Sequence, residues 1–190
     1  TNVWKNLVNK VTFNLFCKDA QKVKFTGSDA GSGVDSISYY LYAPTKKKAE
    51  LNYADLAALD AKSWTKLTLD KKHASEITIN PQEKFVIYAK VTDKAKNVTY
   101  LSTNGIVADE TKPVISGIKA GENYCEDQTV TIKDKNLSKV TVRVENGKEK
   151  ELTCGADGKY VLDISSVIKE RGTKKLTLTA YDKSGNKTSV

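Results

Sequence analysis

Ile87-Tyr88-Ala89-Lys90-Val91-Thr92-Asp93-Lys94-Ala95-Lys96-Asn97 and Leu176-Thr177-Leu178-Thr179-Ala180-Tyr181-Asp182-Lys183-Ser184-Gly185-Asn186 are two versions of one pattern. In each, apolar side chains alternate until Asp-Lys-x-x-Asn stops the run. Ile87, Ala89 and Val91 stand at the same distances before Asp93 as Leu176, Leu178 and Ala180 stand before Asp182. Alternation with a period of two is the signature of a half-buried strand, and a turn motif followed by a further β-prone run makes each copy the last hairpin of a domain. The two copies are 89 residues apart. That is close to the roughly 100 residues of one small β-sandwich. The repeat therefore predicts an all-β chain of two tandem sandwiches.

Working outward from the repeat, Asp109-Glu110-Thr111-Lys112-Pro113 is polar, carries a proline and falls where the first copy ends. It reads as a linker too short for independent tumbling, so the expected shape is a stiff rod. The expected domains are residues 1–109 and a smaller 110–190. Val11, Phe13, Leu15 and Cys17 alternate, as do Val23 and Phe25, and then Ile37, Tyr39 and Leu41. These give the first three strands. Only Tyr53 to Ala61 combines strong helix formers with i, i+3 apolar spacing, which predicts a short helix inserted in the first sandwich, with Trp64 packed over the core rim. Asn80-Pro81 ends a strand, Asn146-Gly147 signals a hairpin turn, and Ser165 to Arg171 reads as one helical turn. The glycines of Asp29-Ala30-Gly31-Ser32-Gly33-Val34 serve a tight turn. A phosphate cradle needs a helix start immediately afterwards, and β-type alternation follows instead.

Composition narrows the function. The 190 residues are 39% hydrophobic and 28% charged, as in a globular chain, and no apolar run approaches the roughly 18 residues of a membrane span. Methionine is absent, which predicts a segment excised from a longer protein, and only Lys187 to Val190 follow Asn186 where Val98 to Val107 follow Asn97, which predicts a final strand cut short. The charge of +8 splits into +5 over residues 1–109, with 16 basic and 11 acidic, and +3 over 110–190, with 15 and 12. Arginine is confined to Arg143 and Arg171, and the lysines alternate with apolar positions. Nucleic-acid sites favour clustered arginine with stacking aromatics, so these lysines read as solvated faces and guarded strand edges.

"YAKVTDKAKNVTYLSTNGIVADETKPVISGI" (residues 88–118) and "DAGSGVDSISYYL" (residues 29–41) resemble the junction and strand-turn text of tandem bacterial immunoglobulin-like domains of Gram-positive surface proteins. The resemblance covers nearly the whole chain. Lys96 departs from it, standing where that family has glycine and where the second copy keeps Gly185, and is expected in a left-handed conformation or in a turn of changed type. The resemblance implies a stalk or adhesion module that projects other domains from the cell wall. Its motifs mark turns, so they specify the fold and not a ligand.

Chemistry-bearing residues are few. His73 is the lone histidine and sits among lysines, so Ser-His or Cys-His hydrolysis lacks a positioned base, and no catalytic residue is assigned. Cys17, Cys125 and Cys154 lack zinc-ligand spacing. Cys17 continues the apolar parity of Phe13 and Leu15, and Cys125 with Cys154 make a candidate disulfide in the second domain. Asp29, Asp35, Asp93 and Asp109 lie near strand ends, where sandwich loops cluster and oxygen ligands for calcium could converge. The plainer reading is that they bond their own turns. Tyr40 and Tyr42 share a strand face opposite Tyr39 and Leu41, and with Trp64 they form a candidate sugar-stacking platform if exposed and coplanar.

The resulting expectation is a non-catalytic, extracellular stalk or spacer of a larger bacterial surface or secreted protein, with adhesion as a possible second role. Its partners are neighbouring domains of the same chain and a host or dietary glycan or matrix protein. Nucleic acid and membrane insertion are excluded, and the state expected is monomeric. A carbohydrate-binding accessory module of a glycosidase and a calcium-stiffened adhesin segment are the alternatives. No cofactor is expected, and calcium enters only with the second alternative.

Overall fold

A computed structural model of the chain describes residues 4–6, 10–80, 84–152, 154, 157–170 and 172–190, with positions 5 and 6 given by their backbone. Pro81 and Arg171 lie outside the described residues. The first unit runs from Thr1 to Ala108 and the second from Asp109 to Val190. Among the described residues of the first are the strands β1 (Trp4–Asn6), β2 (Leu15–Cys17), β3 (Gln21–Thr26), β4 (Val34–Tyr42), β5 (Thr65–Lys66), β6 (Ala74–Ile79), β7 (Lys84–Asp93), β8 (Val98–Thr103) and β9 (Ile106–Ala108). They pair in the order β1-β8-β7-β4-β5, with β9 joining β7 and running parallel to β2, while β3 and β6 form the facing sheet. Phe25 and Val23 of β3, Ile79 of β6, Ile37 of β4, and Phe85, Ile87 and Ala89 of β7 fill the space between the sheets. This is an all-β sandwich.

β7 is buried on both faces. Phe85, Ile87 and Ala89 face the sandwich core, while Val86 and Tyr88 face a second apolar cluster with Val11, Leu56 and Trp64. Residues 43–64 supply the cover for that outer face, through helix α1 (Tyr53–Ala57) and a 3₁₀ turn at Ala61–Ser63. The short helix read from sequence over Tyr53 to Ala61 is thus confined to Tyr53–Ala57, with a separate 3₁₀ turn after it. A capping box starts α1: Asn52 accepts from the Asp55 amide and Asp55 accepts from the Asn52 amide. The insertion is tied to β7 by the Leu51 amide, which donates to the Tyr88 hydroxyl at 2.6 Å, and to the chain before β2 by the Val11 amide, which donates to Glu50 at 2.7 Å. Burial pushes the Tyr88 pKa up to about 12, so the phenol stays neutral at any physiological pH.

The alternation read through Val11, Phe13, Leu15 and Cys17 holds in strand form only from Leu15. Val11 packs in the outer cluster and Leu15 and Cys17 in the sandwich core. Phe13 makes the crossing with a positive φ of 48°, and its ring lies where a side chain at Gly105 would stand, 2.1 Å from an ideal Cβ.

The second unit holds β10 (Val114–Ser116), β11 (Thr129–Lys133), β12 (Leu137–Val144), β13 (Lys150–Leu152), β14 (Lys159–Asp163), β15 (Leu176–Asp182) and β16 (Lys187–Ser189). A three-stranded sheet, β10-β11-β14, faces a four-stranded sheet, β13-β12-β15-β16. Val130, Ile132, Val140, Leu178 and Ala180 are fully buried between them. The Asp109–Pro113 segment is not a free linker. Asp109 and Pro113 are buried, and Thr188 donates to the Pro113 carbonyl at 2.6 Å, so the segment is the opening of the second fold. The β12 hairpin turns one residue earlier than Asn146-Gly147 suggests: the Gly147 amide bonds the Val144 carbonyl, placing Glu145 and Asn146 at the centre, and Glu145 has φ 54°. Its carboxylate accepts from the Lys175 amide at 2.7 Å, which fixes the residue there. The helical turn expected from Ser165 is a 3₁₀ turn at Ile164–Ser166.

Both Asp-Lys-x-x-Asn motifs close hairpins of one design. The Asp93 amide donates to the Asn97 carbonyl and the Asp182 amide to the Asn186 carbonyl, each at 3.1 Å. Gly185 takes φ 88° and Lys96 takes φ 73°, so of the two alternatives the lysine takes the left-handed conformation. A left-handed non-glycine residue costs about 1–2 kcal/mol, and the Lys96–Asp35 ion pair it forms is on open surface. Lys96→Gly is therefore expected to stabilise the first domain by about 1 kcal/mol in denaturant titration, and a loss of stability would contradict the strain.

Candidate functional site

The four aspartates expected near strand ends do not converge. Asp29 accepts from the Gly31 and Gly33 amides, Asp93 accepts from the amide and side chain of Asn97, and Asp35 pairs with Lys96 at 3.0 Å. Backbone donors and Lys96 satisfy these oxygens, and Lys96 holds the Asp35 carboxyl below the usual carboxylate range. Among the described residues, these three carboxylates do not form a metal-sized group of acidic oxygens.

Asp109 behaves differently. Its carboxylate lies with those of Asp134 and Asp182, with one oxygen of each within 4.8 Å of the others. The group is made by the second unit alone: its first residue, five positions before β10, the turn after β11 and the end of β15. Asp109 accepts from the Thr111 amide and hydroxyl through one oxygen and from Asn136 through the other. Asp182 accepts from the Asn186 amide at 2.8 Å and its side chain at 2.7 Å, and Asn186 also donates to the Asp109 carbonyl at 2.7 Å. Asp134 receives one donor, the Asn136 amide, at 2.6 Å.

Electrostatics separates the members. Burial pushes Asp109 up, but donation from Thr111 and Asn136 outweighs it, and its pKa falls below the ordinary value. Burial and the neighbouring charges of Asp109 and Asp182 outweigh the single donor on Asp134, whose pKa is raised. Three oxygen donors at this separation suit a hard cation such as calcium, and protonation of Asp134 relieves the same repulsion. Sequence reading found Asp109 and missed Asp134 and Asp182. The repeat had marked Asp182 as a turn residue, and Asp134-Lys135-Asn136 carries the same Asx-turn signal without announcing a partner.

The tyrosine platform is corrected too. Trp64 is only 9% exposed and Tyr40 and Tyr42 are half-buried, all in the cluster beneath the insertion. The Tyr40 ring is tilted 40° to Tyr42 and 55° to Trp64, so no flat stacking surface exists among them. Tyr53 on α1 is the exposed aromatic of this region, packed edge-on to Tyr100.

His73 sits in the exposed turn before β6 with φ 52°, where its amide donates to the Asp70 carbonyl and its carbonyl accepts from Gly27. Its place is set by its backbone. The three cysteines are free thiols: Cys17 buried, Cys154 half-buried with its thiol directed at the Leu152 carbonyl, and Cys125 exposed. The Cys125–Cys154 disulfide is thus not formed. No helix among the described residues is long and apolar enough to cross a membrane.

No curated protein matches the chain. Among solved structures it is similar to the fibronectin(III)-like modules of Clostridium thermocellum CbhA, at 12% identity and a TM-score of 0.40, over 93% of this chain and 85% of that one. It is also similar to a tetra-tandem repeat from the extending region of a large adhesion protein, at 15% identity and a TM-score of 0.37, over 90% of this chain and 47% of that one. Likenesses this loose carry no function across. Residues 1–110 match the family model described as a bacterial Ig-like domain, and the chain belongs to that family.

Proposed function

We propose that the chain is a non-catalytic extracellular spacer of a larger bacterial surface protein, built from two Ig-like domains in tandem. The observation that carries this reading is the anchoring of the second unit at its first residue: Asp109, 8% exposed, is locked into the second fold by Asn136 and Asn186. Family membership and the place of His73 in a backbone-fixed turn support a structural role over a catalytic one. The accessory-module alternative loses its stacking surface, since Tyr40, Tyr42 and Trp64 pack under the insertion. Pulling a single molecule from both ends should give two separate unfolding steps, each released residue adding at most about 3.6 Å. Extension at low force without steps would sink the spacer reading.

A second reading, calcium stiffening of the segment that opens the second domain, is favoured by the Asp109, Asp134 and Asp182 group. The raised pKa of Asp134 means that its ionisation opposes folding. Without metal, the second domain should gain stability as pH falls from neutral through the folded pKa of Asp134 towards its unfolded value. Asp109, with its lowered pKa, works in the opposite sense and loses its contribution only as pH falls below the ordinary carboxylate range. Calcium should raise the melting temperature at neutral pH, saturably and reversibly with chelator, and have little effect once Asp134 is protonated. Asp134→Asn should raise the metal-free melting temperature at neutral pH and abolish the calcium response. A melting curve indifferent to calcium at neutral pH would remove this reading and leave the spacer.

A further inference from the structure

We propose that the Asp109-proximal end of the three-stranded sheet in the second domain binds a sulfated sugar chain. Val114, Lys133 and Lys159 face one another across β10, β11 and β14, forming one row at the end of the sheet. Lys133 and Lys159 are direct cross-strand partners, and like charges in that relation disfavour the pairing they sit on. Neither they nor Lys112 has a carboxylate within ion-pair distance among the described residues. Together with Lys135 they line an open pocket of about 550 Å³ that also includes Asp134 and Asp157. Even with Lys135 left out of the count, Lys112, Lys133 and Lys159 outnumber the two carboxylates, and both carboxylates accept from backbone amides: Asp134 from Asn136 and Asp157 from Lys159. Asp134 is drawn besides into the group with Asp109 and Asp182. The local conflict of two unpaired lysines side by side is resolved if an anion sits between them.

Shape and chemistry choose among anions. The pocket is open to solvent, which suits a segment of polymer more than an enclosed small molecule. Its basic lining residues are lysines and not arginines, point charges that ask for no bidentate geometry and so fit singly charged groups spaced along a chain. No aromatic ring lines it among the described residues, so bases have nothing to stack on. Val114, 62% exposed, offers an apolar ledge for the C–H face of a sugar ring. This goes beyond the spacer role and does not depend on it.

The test titrates the full chain with dextran sulfate at about 0.15 M salt, where long-range attraction by the net charge is largely screened. Neutral dextran and single-stranded DNA of matched charge serve as comparisons. Saturable binding of dextran sulfate is expected, weaker by about tenfold or more in the Lys133→Ala/Lys159→Ala double variant. A Lys22→Ala/Lys24→Ala variant, which removes two lysines of β3, should bind as the unaltered chain does. Folding of the double variant is read from its melting curve, which should match or exceed the starting protein because the repulsive pair is gone. Bound dextran sulfate should raise the melting temperature of the second domain only when Lys133 and Lys159 are present. Equal loss in both double variants would make the attraction one of net charge and overturn the site. No binding at this salt, or equal binding of neutral dextran or DNA, would overturn the proposed ligand.

Discussion

Trp64→Ala should destabilise the first domain by about 3–5 kcal/mol, the range for removing a large aromatic from a packed interior. The indole is 9% exposed, sits 6.0 Å from the Tyr40 ring and 5.7 Å from the Tyr100 ring, and carries the Lys90 ammonium 5.2 Å above it. It shares its cluster with Val11, Leu56, Val86 and Tyr88, so the cavity left by Ala opens between the insertion and β7. A loss of this size is a large share of the roughly 5–15 kcal/mol that holds a domain together, and it moves the melting temperature by well over about 10 °C. Calorimetry should show one transition shifted and the transition of the second domain in place. Trp64→Phe should recover much of the loss by refilling the space. Fluorescence gives an independent reading: Trp4 and Trp64 are the two tryptophans, and in a Trp4→Phe background the Trp64 emission should be that of a shielded indole. A Trp64→Ala protein as stable as the original would mean that the insertion is not held by this side chain and would return Trp64 to the surface as a ligand contact.

The reason sequence reading put these aromatics on a ligand surface is visible in β7 itself. Ile87, Ala89 and Val91 gave the core face correctly, and the same parity put Tyr40 and Tyr42 on the far face of β4. A half-buried strand leaves that far face polar. Yet Phe85-Val86-Ile87-Tyr88-Ala89 is a continuous apolar run, the mark of a strand covered on both sides, and it announces that something must lie over Val86 and Tyr88. The short helix was legible from its composition, and joining it to that run would have found the second cluster. The turns were legible because Asx and glycine chemistry is local: Asp29 to Val34, both Asp-Lys-x-x-Asn hairpins and left-handed Lys96 all follow from residues within a few positions of one another. The carboxylate group was not, because Asp109, Asp134 and Asp182 are brought together from three separated segments by strand pairing. Nothing near Asp134 in the chain records that Asp182 will face it.

That difference between local and assembled chemistry separates the two copies of the repeat, and Asn186→Ala should expose it. In the first copy Asn97 bonds Asp93 through its amide and side chain on open surface. Water can replace the side-chain donor, and Asn97→Ala should cost little. In the second copy the corresponding side chain is buried and reaches two acceptors, Asp182 and the Asp109 carbonyl, each at 2.7 Å. Alanine keeps the backbone bond to Asp182 but strips a donor from a buried carboxylate that already faces Asp109 and Asp134. It also leaves the Asp109 carbonyl short of a partner. Each buried acceptor left unsatisfied costs about 1–3 kcal/mol, more when it is charged, so a loss of about 3 kcal/mol in the second domain is expected. Asn186→Asp should be worse at neutral pH, since it adds a fourth carboxylate to three, and it should recover as the pH is lowered and the cluster takes up protons. Denaturant titrations of Asn97→Ala and Asn186→Ala, read on their own domains, make the comparison directly. Equal losses would mean that the two hairpins are energetically alike and that Asn186 does nothing for Asp109. A loss confined to Asn186→Ala would show that one repeated turn has been recruited to fasten the first residues of its domain, the point at which a pulled chain first meets the second fold.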